Sequence, residues 1–212
     1  MPEIIKVCGI VEPADALAAV QAGATAIGMV FYPASPRYVR LDQAAMISAV
    51  VSSRALKVGV FVNEAPERIR AVADAVRLDV IQLHGDEPAS DLAALDGLRV
   101  WKALPVGENF DPAWINEYDC EAILLDTAKA DSYGGSGQTF PWRKAREASG
   151  TRKIVVAGGL GPDNVEEAIR AAAPWGVDAS SRLESSPGRK DADKVEAYVR
   201  AAKNATGLES PG

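Results

Sequence analysis

Cysteine and histidine are scarce in this chain, and long apolar runs are absent. The 212 residues include two cysteines, Cys8 and Cys120, and one histidine, His84. Two cysteines are too few for a disulfide scaffold, so we expect both to be reduced and the protein to be cytoplasmic. No cluster of His, Cys and acidic residues has metal-ligand spacing, which argues against a metal site. No apolar run approaches the ~18 residues of a membrane span, so no membrane partner is expected.

Positive charge is also in short supply. The chain has 23 Lys and Arg against 29 Asp and Glu, which gives a formal net charge of -6. A surface of this average sign repels nucleic acid and anionic lipid, so neither is an expected partner. An anionic metabolite can still bind, but only where hydrogen-bond donors are clustered locally.

The apolar residues, 48% of the chain, are sufficient for the core of one domain. They fall into eight short, mostly continuous runs, as in strands covered on both faces. The runs are Ile4 to Cys8, Ala26 to Phe31, Leu56 to Val62, Val80 to Leu83, Arg99 to Ala103, Ala122 to Leu125, Ile154 to Val156 and Gly176 to Ala179.

Helical periodicity occurs between these runs. Apolar residues follow the i, i+3, i+4, i+7 spacing from Ile69 to Val76, from Val165 to Ala172 and from Val195 to Ala202. Pro66 and Pro162 suit the first turn of a helix, and Gly23 suits a helix end.

Eight β/α units without a composition break favour a single closed (β/α)₈ barrel, the TIM barrel, of the α/β class over an open doubly wound sheet. We expect residues 1–205 to form this catalytic domain and residues 206–212, rich in Gly, Ser and Pro, to form a flexible C-terminal tail. The connection from Asp126 to Pro141, which contains Gly134 to Gly137, is predicted to be a mobile active-site loop.

The active site of such a barrel lies at the carboxyl ends of the strands. Strand periodicity places Lys6 and Cys8 on one face of the first strand, and likewise Gln82 with His84 and Leu124 with Asp126. If these faces line the barrel, one thiol, one imidazole and one carboxyl group converge on the same mouth. Arg37 and Asp178 also follow or end strands.

Each of these residues has a plainer alternative. Cys8 could be a small core residue, but its strand-end position beside Lys6, a cation that can activate a thiol, favours catalysis. Asp126 emerges from an apolar run, where a carboxyl group tends to keep the proton that a general acid needs, although a helix cap or salt bridge is the alternative. His84 is expected to have a secondary role, because a lone histidine is more often structural.

Two segments have the features of a phosphate site. Gly158, Gly159 and Leu160 follow the seventh strand and lead toward a helix, so that backbone N–H groups can face an anion. Ser180 and Ser181 follow the eighth strand, and these two loops commonly bind phosphate in such barrels. The alternative is a tight turn that binds nothing.

Seven motifs span nearly the whole chain in order. They are Lys6-Val7-Cys8-Gly9-Ile10, Phe31-Tyr32-Pro33 with Ser35-Pro36-Arg37-Tyr38, Gln82-Leu83-His84-Gly85, Leu124-Leu125-Asp126, Gly134-Gly135-Ser136-Gly137 with Phe140 and Trp142, Ala157-Gly158-Gly159-Leu160, and Gly176-Val177-Asp178-Ala179-Ser180-Ser181 with Glu184 and Pro187-Gly188 through Lys190-Asp191. Taken together, they resemble the phosphoribosylanthranilate isomerase family.

This resemblance implies an Amadori rearrangement of N-(5-phosphoribosyl)anthranilate in tryptophan biosynthesis, without metal or organic cofactor. Asp126 would be the general acid and Cys8 the general base. Arg37 would hold the anthranilate carboxylate and Asp178 would contact the amine or a hydroxyl group, with Lys6 and His84 completing the substrate site. The phosphate would bind at Gly158, Gly159, Leu160, Ser180, Ser181 and Arg182, and the enzyme would be a monomer or a homodimer.

Arg182 departs from the family pattern, which most often has glycine there. We expect its side chain to reach the phosphate, with an outward ion pair to an acidic residue such as Glu184 as the alternative. Two rival functions remain: a bifunctional isomerase that also acts in histidine synthesis, which typically has aspartate in place of Cys8, and a non-catalytic barrel that binds a phosphorylated metabolite.

Overall fold

The computed structural model describes residues 1–107, 110–127 and 142–205. Eight parallel strands, each paired with the next and the last paired with the first, form a closed barrel. They are β1 (Ile4–Val7), β2 (Ala26–Val30), β3 (Leu56–Phe61), β4 (Val80–Leu83), β5 (Val100–Val106), β6 (Ala122–Thr127), β7 (Ile154–Val156) and β8 (Gly176–Ala179).

The segments between the strands form the outer layer. The α-helices are α1 (Pro13–Ala22), α2 (Leu41–Val51), α3 (Pro66–Val76), α4 (Arg143–Ser149), α5 (Val165–Ala172) and α6 (Ala192–Asn204). Short 3₁₀ helices, Ala89–Leu95 and Pro112–Glu117, take the place of α-helices after β4 and β5. A third, Ser181–Leu183, follows β8 and leads into a hairpin of β9 (Glu184–Ser186) and β10 (Arg189–Lys190).

The (β/α)₈ prediction is confirmed, including all eight strands. Three predicted helices are present as α3, α5 and α6, and Gly23 ends α1 with a left-handed φ of 96°. Pro66 occupies the first turn of α3 as predicted. The prediction for Pro162 is wrong, because Asn164 is the N-cap and α5 begins only at Val165. The hairpin of β9 and β10 was not predicted.

The barrel interior is apolar at the amino ends of the strands and polar at their carboxyl ends. Near the amino ends, Trp101 is fully buried and lies edge-on to Trp175, with ring centroids 5.7 Å apart. Further along the strands the fully buried side chains include Lys6 and Gln82. Because a charged group is retained in a core only with a partner, this polar layer points to function more than to stability.

Two predictions fall outside the described residues: the loop with Gly134 to Gly137 and the tail at 206–212. Within the described part, no helix is long and apolar enough to cross a membrane.

Tyr198 on α6 offers a test of the core. Its side chain is fully buried, and its hydroxyl oxygen has no hydrogen-bond partner within the described structure. A buried polar group without a partner costs free energy, so Tyr198→Phe should leave the free energy of unfolding unchanged or raise it by about 1 kcal/mol. Tyr198→Ala, which also removes the ring, should lower it by about 3–5 kcal/mol. Urea unfolding measures both, and a clear loss in the Phe variant would contradict the unpartnered hydroxyl.

Candidate active site

Lys6 and Asp178 form a buried ion pair inside the barrel. The two residues are register partners on the adjacent strands β1 and β8, and Lys6 Nζ lies 3.0 Å from Asp178 Oδ2. Burial raises the pKa of Asp178 above its ordinary value, although Lys6 acts in the opposite direction. Asp178 Oδ1 is buried and accepts no hydrogen bond from any described group. Asp178 therefore has one carboxylate oxygen, Oδ1, that accepts no hydrogen bond from the described residues below the mouth of the barrel.

Cys8 follows β1 directly and is 8% exposed. Burial raises the pKa of its thiol, and Lys6, the largest opposing influence, lowers it without reversing the net rise. Lys6 thus favours ionisation of the Cys8 thiol, while burial has the larger effect on its pKa.

Gly28 on β2 makes room for this arrangement. A Cβ atom at Gly28 would lie 2.6 Å from Cys8 Sγ and 3.1 Å from Lys6 Nζ. Both distances are shorter than ordinary van der Waals contact, so any larger residue must displace the thiol or the ammonium group.

Gly28→Ala should accordingly lower kcat by about tenfold, since even a small displacement of a reacting group is costly. KM should change little, because the phosphate loops lie on other strands. Steady-state kinetics test this, with Gly150→Ala as the control because a Cβ there meets only a backbone oxygen at 4.0 Å. Unchanged kcat in Gly28→Ala would show that Cys8 is not held against β2.

Asp126 lies at the end of β6 and contacts His84. His84 Nε2 is 3.3 Å from Asp126 Oδ2, and Asp126 Oδ1 accepts the Thr127 N–H at 2.8 Å. Gln82 Nε2 lies 2.8 Å from His84 Nδ1. Because an amide NH₂ group donates, Nδ1 is the acceptor in this contact, and Nε2 is the ring nitrogen that faces the Asp126 carboxyl group.

The loop after β7 passes against the same carboxyl group. Gly158 has a φ of 81°, and a Cβ there would lie 2.9 Å from Asp126 Oδ1 and 2.7 Å from the Thr127 nitrogen. Only glycine combines this backbone angle with so close an approach. The predicted phosphate segment and the predicted acid are thus in direct contact.

Arg37 lies across the mouth and is held by Glu184. Its Nε and Nη2 atoms donate to the two carboxylate oxygens at 2.7 and 2.8 Å. Lys190 Nζ donates to Glu184 Oε1 at 2.8 Å and to the Ser180 carbonyl at 3.2 Å. The β9–β10 hairpin therefore fixes the plane of the Arg37 guanidinium group, while Nη1 donates to no described residue.

The segments after β7 and β8 contain backbone N–H groups that no described residue accepts. Gly158 and Gly159 both have positive φ angles, 81° and 63°. Within the described ranges, the N–H groups of Gly159, Leu160 and Ser181 donate no hydrogen bond. Consecutive free N–H groups of this kind form a concave anion site.

Arg182 takes the alternative course expected for it, an ion pair with an acidic residue, but the partner is Asp163 and not Glu184. Its Nη2 atom donates to both oxygens of Asp163 at 2.8 and 2.7 Å, and Nη1 donates to the Gly159 carbonyl at 3.0 Å. Glu184, the acidic partner that we named as an example, pairs with Arg37 and Lys190 instead. The contact of Arg182 with the phosphate stays a prediction.

The structure thus brings Lys6, Cys8, His84, Asp126 and Asp178 together, and places Arg37 and the phosphate segments on the same rim. Sequence reasoning missed the roles of Gly28 and Asp163. An isolated glycine inside an apolar strand is a known sign of close approach and could have identified Gly28. No comparable signal marked Asp163. Among the residues described, no group of three or more potential ligands is placed to hold a metal ion.

Comparisons with known proteins agree over the whole barrel. The family model of N-(5'-phosphoribosyl)anthranilate isomerase matches residues 5–201. The isomerase of that name from Solibacter usitatus is 50% identical over 204 residues, covering 96% of this chain and 99% of the relative.

Solved structures extend the agreement to three dimensions. Monomers generated from the dimeric phosphoribosylanthranilate isomerase of Thermotoga maritima match with a TM-score of 0.85 at 39% identity, covering 98% of this chain and 100% of that one. A phosphoribosyl anthranilate isomerase in complex with reduced 1-(o-carboxyphenylamino)-1-deoxyribulose 5-phosphate matches with a TM-score of 0.85 at 38% identity, with the same coverage. This chain therefore belongs to the N-(5'-phosphoribosyl)anthranilate isomerase family, the isomerases of tryptophan biosynthesis.

Proposed function

We propose that the chain converts N-(5-phosphoribosyl)anthranilate to 1-(2-carboxyphenylamino)-1-deoxyribulose 5-phosphate by general acid–base catalysis, with Asp126 as acid and Cys8 as base. The observation that supports these roles is the placement of Asp126 on β6 and of Cys8 directly after β1. These strands are three positions apart around the closed barrel, so their ends face each other across the mouth. An acid and a base on opposite sides of the sugar are what the rearrangement requires.

In the first step, Asp126 protonates the ribose ring oxygen. The C1–O bond breaks, the nitrogen lone pair forms the C1=N bond, and an open-chain Schiff base results. The His84 Nε2–H group, 3.3 Å from Asp126 Oδ2, stabilises the carboxylate that remains after the proton has left.

In the second step, the Cys8 thiolate removes the C2 proton and the C2–H electrons form an enolamine. Lys6 stabilises the thiolate, since a neighbouring cation favours the ionised form. The enolamine then tautomerises to the ketone. The reaction is an internal proton transfer, so the mechanism uses no cofactor.

The remaining residues hold the substrate. Arg37 Nη1 is proposed to bind the anthranilate carboxylate, because its other nitrogens are oriented by Glu184. Asp178 Oδ1, an acceptor without a described partner, is proposed to accept a hydrogen bond from the substrate amine or a hydroxyl group. The phosphate is proposed to bind the N–H groups of Gly159, Leu160 and Ser181, together with Gly158 and the Ser180 hydroxyl group.

The assembly and location also remain proposals. The dimeric Thermotoga relative supports a homodimer, and a monomer is the alternative. Both cysteines are free in the structure, which fits the reducing cytoplasm in which we propose the enzyme acts.

One assay tests the reaction. The unstable substrate is generated in situ from anthranilate and phosphoribosyl pyrophosphate by a phosphoribosyltransferase, and its conversion is followed by fluorescence with and without this protein. A rate proportional to the protein concentration is expected. No acceleration by correctly folded protein at saturating substrate would overturn the proposed function.

A further inference from the structure

Arg182 connects the two loops of the proposed phosphate site. It follows β8, while both of its partners, the Gly159 carbonyl and Asp163, belong to the segment after β7. Gly161, in the same segment, leaves the space that the pair needs, since a Cβ there would lie 3.1 Å from Asp163 Oδ1 and 3.2 Å from Arg182 Nε. The arginine therefore crosses from one loop to the other.

The Gly159 carbonyl oxygen has a second donor, Asn164 Nδ2, at 2.9 Å. Two donors on one oxygen fix the orientation of the Gly159–Leu160 peptide. Because a trans peptide is planar, its N–H group points opposite to its C=O group. The Leu160 N–H is therefore directed away from Arg182 and Asn164, and it donates to nothing within the described ranges.

Arg182 itself carries little uncompensated charge. Both oxygens of Asp163 accept a hydrogen bond from Arg182 Nη2. The Arg182 side chain is 34% exposed and the Asp163 side chain is 65% exposed. The contact with Arg182 also lowers the pKa of Asp163, so the partner stays ionised at neutral pH. A guanidinium group neutralised in this way attracts a phosphate much less than a free one.

We propose that Arg182 is a positioning residue: it ties the loop after β8 to the loop after β7 and holds the Leu160 N–H toward the substrate phosphate without binding the phosphate itself. This inference rests on the proposed function, because it takes the phosphate to be that of the substrate.

Two variants, Arg182→Met and Asp163→Asn, distinguish this role from direct phosphate binding. The two roles predict opposite changes in KM for Asp163→Asn. If Arg182 positions the loop, Arg182→Met should raise KM about tenfold, the loss of one charge-assisted hydrogen bond, with kcat within about twofold. Asp163→Asn should also raise KM, and the double variant should be no worse than Arg182→Met because both act through one contact. If Arg182 instead binds phosphate, Asp163→Asn frees the guanidinium group and should lower KM.

Salt dependence supplies a second readout that a general loss of stability does not affect. For a positioning residue, KM should depend on salt equally in the wild type and in Arg182→Met, whereas a lost phosphate ligand would weaken the dependence. Arg170→Met is the matched control, because Arg170 forms a comparable ion pair with Glu166 at 2.8 Å on the outer side of α5. Its KM should equal that of the wild type.

Hydrogen exchange at the Leu160 amide tests the positioning role of Arg182 independently of the isomerase reaction. Ribose 5-phosphate should protect this amide in the wild type and protect it much less in Arg182→Met, with Arg170→Met behaving like the wild type. Equal protection in the wild type and in Arg182→Met would overturn the positioning role even in an active enzyme. An inactive wild type with normal protection would overturn the proposed function alone.

Discussion

Replacing Asp126 with asparagine is expected to lower kcat by about 10²-fold or more, the usual effect of losing a general acid or base. Asparagine keeps the shape of the side chain and can still accept the Thr127 N–H through its amide oxygen, but it holds no acidic proton for the ribose ring oxygen. KM should stay near the wild-type value, because the proposed carboxylate and phosphate contacts lie on other loops. Steady-state kinetics with substrate generated in situ measure both constants.

His84→Asn is the comparison for this experiment. His84 contacts Asp126 at 3.3 Å and does not itself transfer the proton in the proposed mechanism, so its loss should cost less than that of Asp126. Cys8→Ser should resemble Asp126→Asn, because a serine hydroxyl is a far weaker acid than a thiol and is not ionised near neutral pH. If His84→Asn were the most damaging of the three, the assignment of acid and base would be wrong.

Much of the fold could be predicted because its signals are local. The eight apolar runs are strands covered on both faces, and such runs are readable from one stretch of sequence. Strand periodicity also placed Gln82 beside His84, and the structure has the two side chains 2.8 Å apart. The carboxyl-end rule for barrels then located the candidate site without any knowledge of distances.

The choice of ion-pair partners could not be predicted in the same way. Arg37 and Glu184 are 147 positions apart in the chain, and they meet only because the β9–β10 hairpin folds over the mouth. For Arg182 an acidic partner was one of the two expectations, but its identity as Asp163 on the neighbouring loop could not be read from the sequence, where Glu184 was the nearer example. Such pairings depend on the closed barrel as a whole.

The balance at Cys8 is likewise a property of the folded state. The sequence shows a lysine two positions before a cysteine, which indicates that the cation can favour the thiolate. The burial of the thiol, which lies close to Gly28 in the closed barrel, acts in the opposite direction. Only the structure shows that burial is the larger influence.

Because Lys6 opposes the effect of burial on the Cys8 pKa, replacing Lys6 should strongly change the pH dependence of kcat/KM. In the proposed mechanism the Cys8 thiolate is the base, so kcat/KM should rise as pH increases through the pKa of Cys8, and burial places that pKa above its ordinary value. Lys6 lowers the same pKa. Lys6→Met therefore raises it further, and the rise in kcat/KM should move to higher pH. Removal of a cation in contact with an acidic group typically changes the ionised fraction of that group by about 10- to 1,000-fold. The Cys8 thiolate fraction at neutral pH should therefore fall in Lys6→Met, and kcat/KM should fall with it by roughly 10²-fold.

The position of the pH profile distinguishes this effect from simple damage to the fold. Lys6→Met also leaves the buried Asp178 carboxyl group without its ion-pair partner, so some stability is lost and thermal unfolding must be checked first. Lys57→Met is the matched control, since Lys57 pairs with Asp79 at 3.4 Å at the amino end of β3, far from the mouth. Its profile should coincide with that of the wild type. A Lys6→Met enzyme that is slow but has the wild-type pH profile would show that the cation does not act on the Cys8 thiol.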